Sequence, residues 1–162
     1  MQYRVIAAAA ERSLRYLLEA VADFTADEFV QRPVPNANHA LWQLGHLTIS
    51  EDEMVSEMLT TPDRIASASF QDSFTRGQAS ESTLAAFPPP EDVLALLKRV
   101  RERSCRWIES LATGGGRNPG PLRMRAYLPT ADDVALAIQE HAAMHLGQIQ
   151  VIRRRLGKRM LM

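Results

Sequence analysis

Apolar residues recur at spacings of three and four along most of this chain, and that pattern predicts four long helices. From Tyr3 to about Asp23 the stripe is Val5, Ile6, Ala9, Leu14, Leu17, Leu18 and Val21, with Glu11, Arg12, Arg15 and Glu19 between them. Alternation at the helical period marks an amphipathic helix with one face on a core. Thr25-Ala-Asp-Glu28 has the form of a capping box for one short turn, and the prolines and asparagines of Arg32 to Asn38 predict extended loop. Asn38 is the expected N-cap of a second helix running to about Leu59. It turns Leu44, Leu47, Met54, Val55 and Met58 toward a core and Glu51, Asp52, Glu53 and Glu57 toward solvent.

Periodicity lapses from Thr60 to Pro89, where Ser, Thr, Asp and Pro predict a long connection with room for one short helix. Pro90-Glu91-Asp92 suits a first helical turn, and the third helix follows with the stripe Val93, Leu96, Leu97, Val100, Ser104, Trp107, Ile108 and Leu111. Thr113-Gly-Gly-Gly ends it. Arg117 to Pro129 holds three prolines and leaves room for a short extended piece at Leu122–Tyr127. Thr130, with Asp133 three residues later, caps the last helix, whose stripe is Val134, Ile138, His141, His145, Gln148 or Ile149, Ile152 and Leu156. Arg153, Arg154 and Arg155 favour the dipole at its end, and Gly157 suits the residue after the cap. The expected fold class is all-α: a four-helix bundle of helices roughly 18 to 27 residues long, with long connections after the first three.

Composition narrows the function. At 162 residues the chain fits a single domain with a proper core, and 19 basic against 19 acidic residues give no electrostatic reason to expect nucleic acid as a partner. A single cysteine, Cys105, excludes an internal disulfide and a thiolate cluster. Metal binding would rest on histidine and carboxylate, and a cytoplasmic location is expected. The short apolar run near Met1 is broken by charge within about ten positions, too short for a signal segment or a membrane span.

The chemistry lies in the histidines. His141 and His145 stand one turn apart on one face of the last helix, a two-point grip for a metal from a single rigid element. Burying two imidazoles side by side leaves polar nitrogens that need a shared partner, and each unsatisfied one costs roughly 1–3 kcal/mol. His46, on the second helix, is the candidate third ligand from a facing helix, although 95 residues separate it from His141. Gly45 and Gly147 beside these histidines each cost about 1 kcal/mol in a helix relative to Ala, which a close approach would justify, either at the site or in helix packing. His39 is read as a partly exposed first-turn residue. Gln43, Ser50, Glu53 and Gln148 are possible acceptors for the second ring nitrogens, while Glu140, turned about 100° from His141, is expected to be exposed. Cys105 is read as structural, and Tyr16 and Tyr127 as core or rim residues. Three neutral histidines with open coordination positions make a site of the catalytic sort, suited to activating water or a thiol.

Asn36-Ala-Asn-His-Ala-Leu-Trp-Gln-Leu-Gly-His46-Leu, preceded by Arg32-Pro, together with Glu140-His-Ala-Ala-Met-His145-Leu-Gly-Gln148-Ile, resembles the DinB-like superfamily of metal-binding helical bundles, described also as a metal-dependent hydrolase fold. The resemblance implies an up-down-down-up bundle, frequently a homodimer, with one divalent metal at His46, His141 and His145. It also implies a small-molecule substrate: some relatives transfer low-molecular-weight bacterial thiols to electrophiles or use such thiols in isomerisation. The family name refers to DNA-damage induction, a stress response, and not to contact with DNA. Thr60 to Pro89 and Arg117 to Pro129, where the pocket walls are expected, carry no recognisable thiol-binding signature. The expected cofactor is zinc, nickel or iron in the divalent state, serving a transferase or hydrolase; the alternative is a non-catalytic metal-stabilised or metal-sensing dimer, with the apolar tail Met160-Leu-Met162 as a candidate surface.

Overall fold

The computed structural model describes residues 1–59 and 63–161. The first residues of the long connection and Met162 of the apolar tail lie outside the described residues. Six α-helices and no strand are found among those described: α1 (Gln2–Val21), α2 (Ala26–Phe29), α3 (Ala40–Met58), α4 (Ala68–Ser73), α5 (Pro90–Ser110) and α6 (Ala131–Arg155). The four long ones, of 20, 19, 21 and 25 residues, are the four the apolar stripes predict. Helices α1 and α3 each pack against both α5 and α6, so the order around the core is α1, α5, α3, α6.

Local chemistry sets the helix ends. Both predicted capping boxes form, Thr25 with Glu28 and Thr130 with Asp133, and Gly157 takes a left-handed φ of 70° just past α6. Helix α3 starts one residue later than expected. His39, not Asn38, is its N-cap, with Nδ1 accepting the Trp42 N–H at 3.1 Å. The Asn38 carbonyl is engaged instead by the Gln43 side-chain amide at 2.8 Å.

Three further expectations are corrected. Val5 is exposed, and the buried face of α1 runs through Ala7, Ala10, Leu17 and Ala20, whose small residues let α5 come close. Glu51 and Asp52 are buried rather than solvated, because α5 supplies a guanidinium to each. Arg101 grips Glu51 with two bonds of 2.8 Å and also reaches the Ala10 carbonyl and the Ser13 hydroxyl. Arg103 meets Asp52 at 2.8 Å, while the Asp52 carboxylate also accepts the backbone N–H groups of Ile65 and Ala66. Third, Leu122–Tyr127 is a run of turns. Its backbone bonds close locally, Tyr127 to Met124 at 2.8 Å, and the adjoining pairing is a single antiparallel bridge between Pro119 and Thr130. Gly120 is required there, since a Cβ would lie 1.9 Å from the Leu128 carbonyl oxygen.

The long connection holds the one short helix expected, α4, followed by 3₁₀ turns at Arg76–Gln78 and Leu84–Ala86. Phe70, Phe74 and Phe87 anchor it in the core beside Leu41, Trp42 and Leu44 of α3. A segment without periodicity is therefore held down by three aromatic side chains rather than by an amphipathic stripe.

Candidate metal centre

Helix α3 contributes His46 and helix α6 contributes His141 and His145. One ring nitrogen from each lies within 4.8 Å of the other two. The Nε2 atoms of His141 and His145 face one another at 3.1 Å. His145 is buried, and His46 and His141 are half-buried. The structure thus brings together the three histidines that the sequence singles out.

Two of the rings are oriented from outside the cluster. The Gln43 amide donates to Asn38, which turns its Oε1 toward His145, where it accepts the Nδ1 proton at 3.1 Å. That contact fixes the tautomer and leaves the His145 Nε2 lone pair aimed inward, the usual arrangement behind a ligating imidazole. Trp42, one turn before His46, lies flat against its ring at a centroid distance of 4.9 Å and an interplanar angle of 5°. The i, i+4 spacing of Trp42 and His46 is the sequence signal for that stack. Of the other candidate acceptors, Glu53 is spent on Arg64 at 3.1 Å, Ser50 lines the neighbouring cavity, and Gln148 is exposed, adding only a small effect on His145.

Burial keeps all three imidazoles uncharged. Desolvation is the leading cause in each case. It lowers His46 to about 4, helped by the charges of His141 and Arg76, and His145 to about 3, helped by His141 and His46. His141 is also lowered, against a weak opposing pull from Glu51. Neutral imidazole nitrogens are what a borderline divalent ion binds. With metal–nitrogen bonds of about 2.0–2.1 Å, two ligands on one tetrahedral ion stand about 3.3 Å apart, close to the separation of the α6 pair. The residues present fit such an ion.

His46 and His141 also face a cavity of about 520 Å³. Its walls are apolar at Phe74, Met54, Met124 and Leu128 and polar at Ser50, Glu53, Thr75 and Arg76. Tyr127 stands on its rim, whereas Tyr16 lines a separate small hollow near the C-terminus. A larger hollow of about 690 Å³ beside Met1, Tyr3 and Arg12 contains none of the histidines.

The remaining candidates fall away from the site. His39 is fully buried rather than partly exposed, because capping α3 through Nδ1 draws its ring under the chain, where Nε2 donates to the Glu81 carbonyl at 3.0 Å. Cys105 is buried between α5 and α1, its thiol pushed up to about 12 mainly by burial, and it is chemically inert there. Glu140 is exposed, as its position on α6 predicts. Gly45 is explained by packing: a Cβ there would sit 2.2 Å from the Phe74 ring. Gly147 has open space where a side chain would stand.

The chain belongs to the DinB superfamily, whose family model matches residues 9–149. Members of this superfamily are often metal-binding. No curated protein matches the chain. Among solved structures it is similar to a conserved protein from Enterococcus faecalis, with a TM-score of 0.67 at 15% identity over 95% of this chain and 96% of that one. At that identity the likeness is one of fold.

Proposed function

We propose that the protein is a single-domain metal-dependent enzyme that activates a thiol or water for attack on a small electrophile, as a thiol transferase or a hydrolase. One observation carries the reading: three neutral imidazoles from two helices converge, two of them, His46 and His141, on the wall of a cavity large enough for a small substrate. His46, His141 and His145 would hold zinc, nickel or iron, which when bound supplies a Lewis acid. The rest is done by the chain itself. Gln43 holds the His145 tautomer, Trp42 steadies the His46 ring, and Phe74, Met124 and Leu128 give one side of the cavity an apolar surface. With His46, His141 and His145 spent as ligands, a proton moved at neutral pH would pass through substrate or solvent.

The family resemblance favours an up-down-down-up arrangement of the long helices, a homodimer and a low-molecular-weight thiol as co-substrate. No described helix is long and apolar enough to cross a membrane, and a cytoplasmic setting is proposed with the thiol chemistry. Metal analysis of untagged protein tests the site. About one ion per chain is expected in the parent and a large loss in His145→Ala; equal low occupancy in both sinks it. Because the ligands come from both α3 and α6, a bound ion also ties two helices together. Chelation should then lower stability by about 2.7 kcal/mol if the free ion stands at a hundred times its Kd. Activity is sought by a screen of thiol transfer beside ester and amide hydrolysis.

A further inference from the structure

The cavity beside the histidines has two charged side chains on its wall, and they differ in one respect. The Glu53 carboxylate is already met by Arg64 at 3.1 Å and Arg123 at 3.8 Å. Arg76 is exposed, borders the cavity, and has no hydrogen bond or ion pair with any described residue. Neighbouring Arg32 shows what a structural arginine looks like here, since its guanidinium is spent on the carbonyls of Ala37, Ala79 and Glu81.

The backbone at Arg76 is also held at a fixed place relative to the histidines. The Phe74 ring is seated on Gly45, directly before His46, and no side chain could share that seat. The Trp42 indole N–H bonds to the Thr75 carbonyl at 3.3 Å while the same ring stacks on His46. Two contacts therefore fasten residues 74–75 to the turn of α3 that carries the histidine, and Arg76 follows at once.

We propose that Arg76 is the anion-binding residue of this cavity, and that the ligand is a small monocarboxylate whose apolar body lies against Phe74, Met124 and Leu128 with its far end at the histidines. One guanidinium offers a planar fork that matches one carboxylate, and the mostly apolar wall suits a ligand with little further charge. The inference rests on the cavity being a substrate site, as proposed above, and it names the class of substrate.

Binding of phenylbutyrate and of its primary amide, measured by calorimetry on the protein as purified and after chelator treatment, tests it. The acid should bind at least about tenfold more tightly than the amide in both preparations, as a charge-assisted paired contact predicts. Arg76→Gln should bring the acid down to the affinity of the amide and leave the amide unchanged, and Arg76→Lys should keep part of the preference. Equal binding of acid and amide, a preference that survives Arg76→Gln, or no binding of either compound overturns the proposal. An acid preference in protein that holds no metal as purified and takes up none when zinc is added refutes the metal reading alone. Bound metal without the preference refutes this one alone.

Discussion

Helix α3 carries two polar clusters into the interior, and they are built on opposite principles. Toward α5, Glu51 and Asp52 meet Arg101 and Arg103, and nearly every donor and acceptor is used; Arg103 Nε is the one buried side-chain atom left without a partner among the described residues. Toward α6, His46 meets His141 and His145, and apart from the Gln43 contact to His145 Nδ1 these rings have no hydrogen-bond partner outside the cluster among the described residues. A polar group whose partners are all protein is part of the scaffold. Convergent imidazoles that the rest of the protein leaves open invite something from outside. The difference separates architecture from chemistry on a single helix without appeal to any relative.

The sharpest way to break that comparison is to open the closed cluster. Arg101→Met strands the Glu51 carboxylate in the interior, and unfolding by denaturant should show a loss of about 3–5 kcal/mol, of which Glu51→Leu in the same chain restores much. A loss under about 1 kcal/mol would mean that the cluster is not the closed network described.

His39 provides the next test, because it is a histidine of the closed kind, with Nδ1 and Nε2 both taken by backbone. Burial lowers it to about 4, below the ordinary 6.5 of an unfolded chain. The unfolded state therefore takes up the proton first. The stability that neutral His39 lends is complete above about pH 6.5 and drains as pH falls toward 4, by at most one proton per molecule. His39→Asn, which keeps a capping oxygen, should flatten that part of the pH profile of unfolding; superimposable profiles would refute the assignment.

The smallest effects come from the two glycines beside the open cluster. Gly45→Ala must displace the Phe74 ring and should cost about 1–3 kcal/mol. Gly147→Ala meets nothing and should stabilise by about 1 kcal/mol through helix propensity. Melting of the two variants side by side would show whether the signs differ.

Much of this was open to reading before any coordinates. The stripes of α1, α5 and α6 follow the helical period because each has one buried face, and both capping boxes are local signals. The three histidines were legible for a related reason: two share a face at i, i+4, and His46 stands within a helix that must face them. Helix α3 misled at Glu51 and Asp52 because their neutralising arginines lie about 50 residues away on another helix. His39 was expected to be partly exposed because its burial depends on the distant Glu81 carbonyl. Arg76 gave no signal at all. Its segment has no period, and its place is set by Phe74 and Trp42 across the fold.

The seat of Phe74 on Gly45 has a consequence for how such a protein can change. The histidines sit on long helices whose packing fixes them, whereas the facing wall is a short segment fastened at residues 74–75 and otherwise unconstrained by helical register. Substitution beyond the fastening alters what the cavity accepts and leaves the reactive floor where it is. If the cavity and the histidines act as proposed, selection can trade one substrate for another at Arg76 and its neighbours while the three histidines stay in place, so long as position 45 remains a glycine.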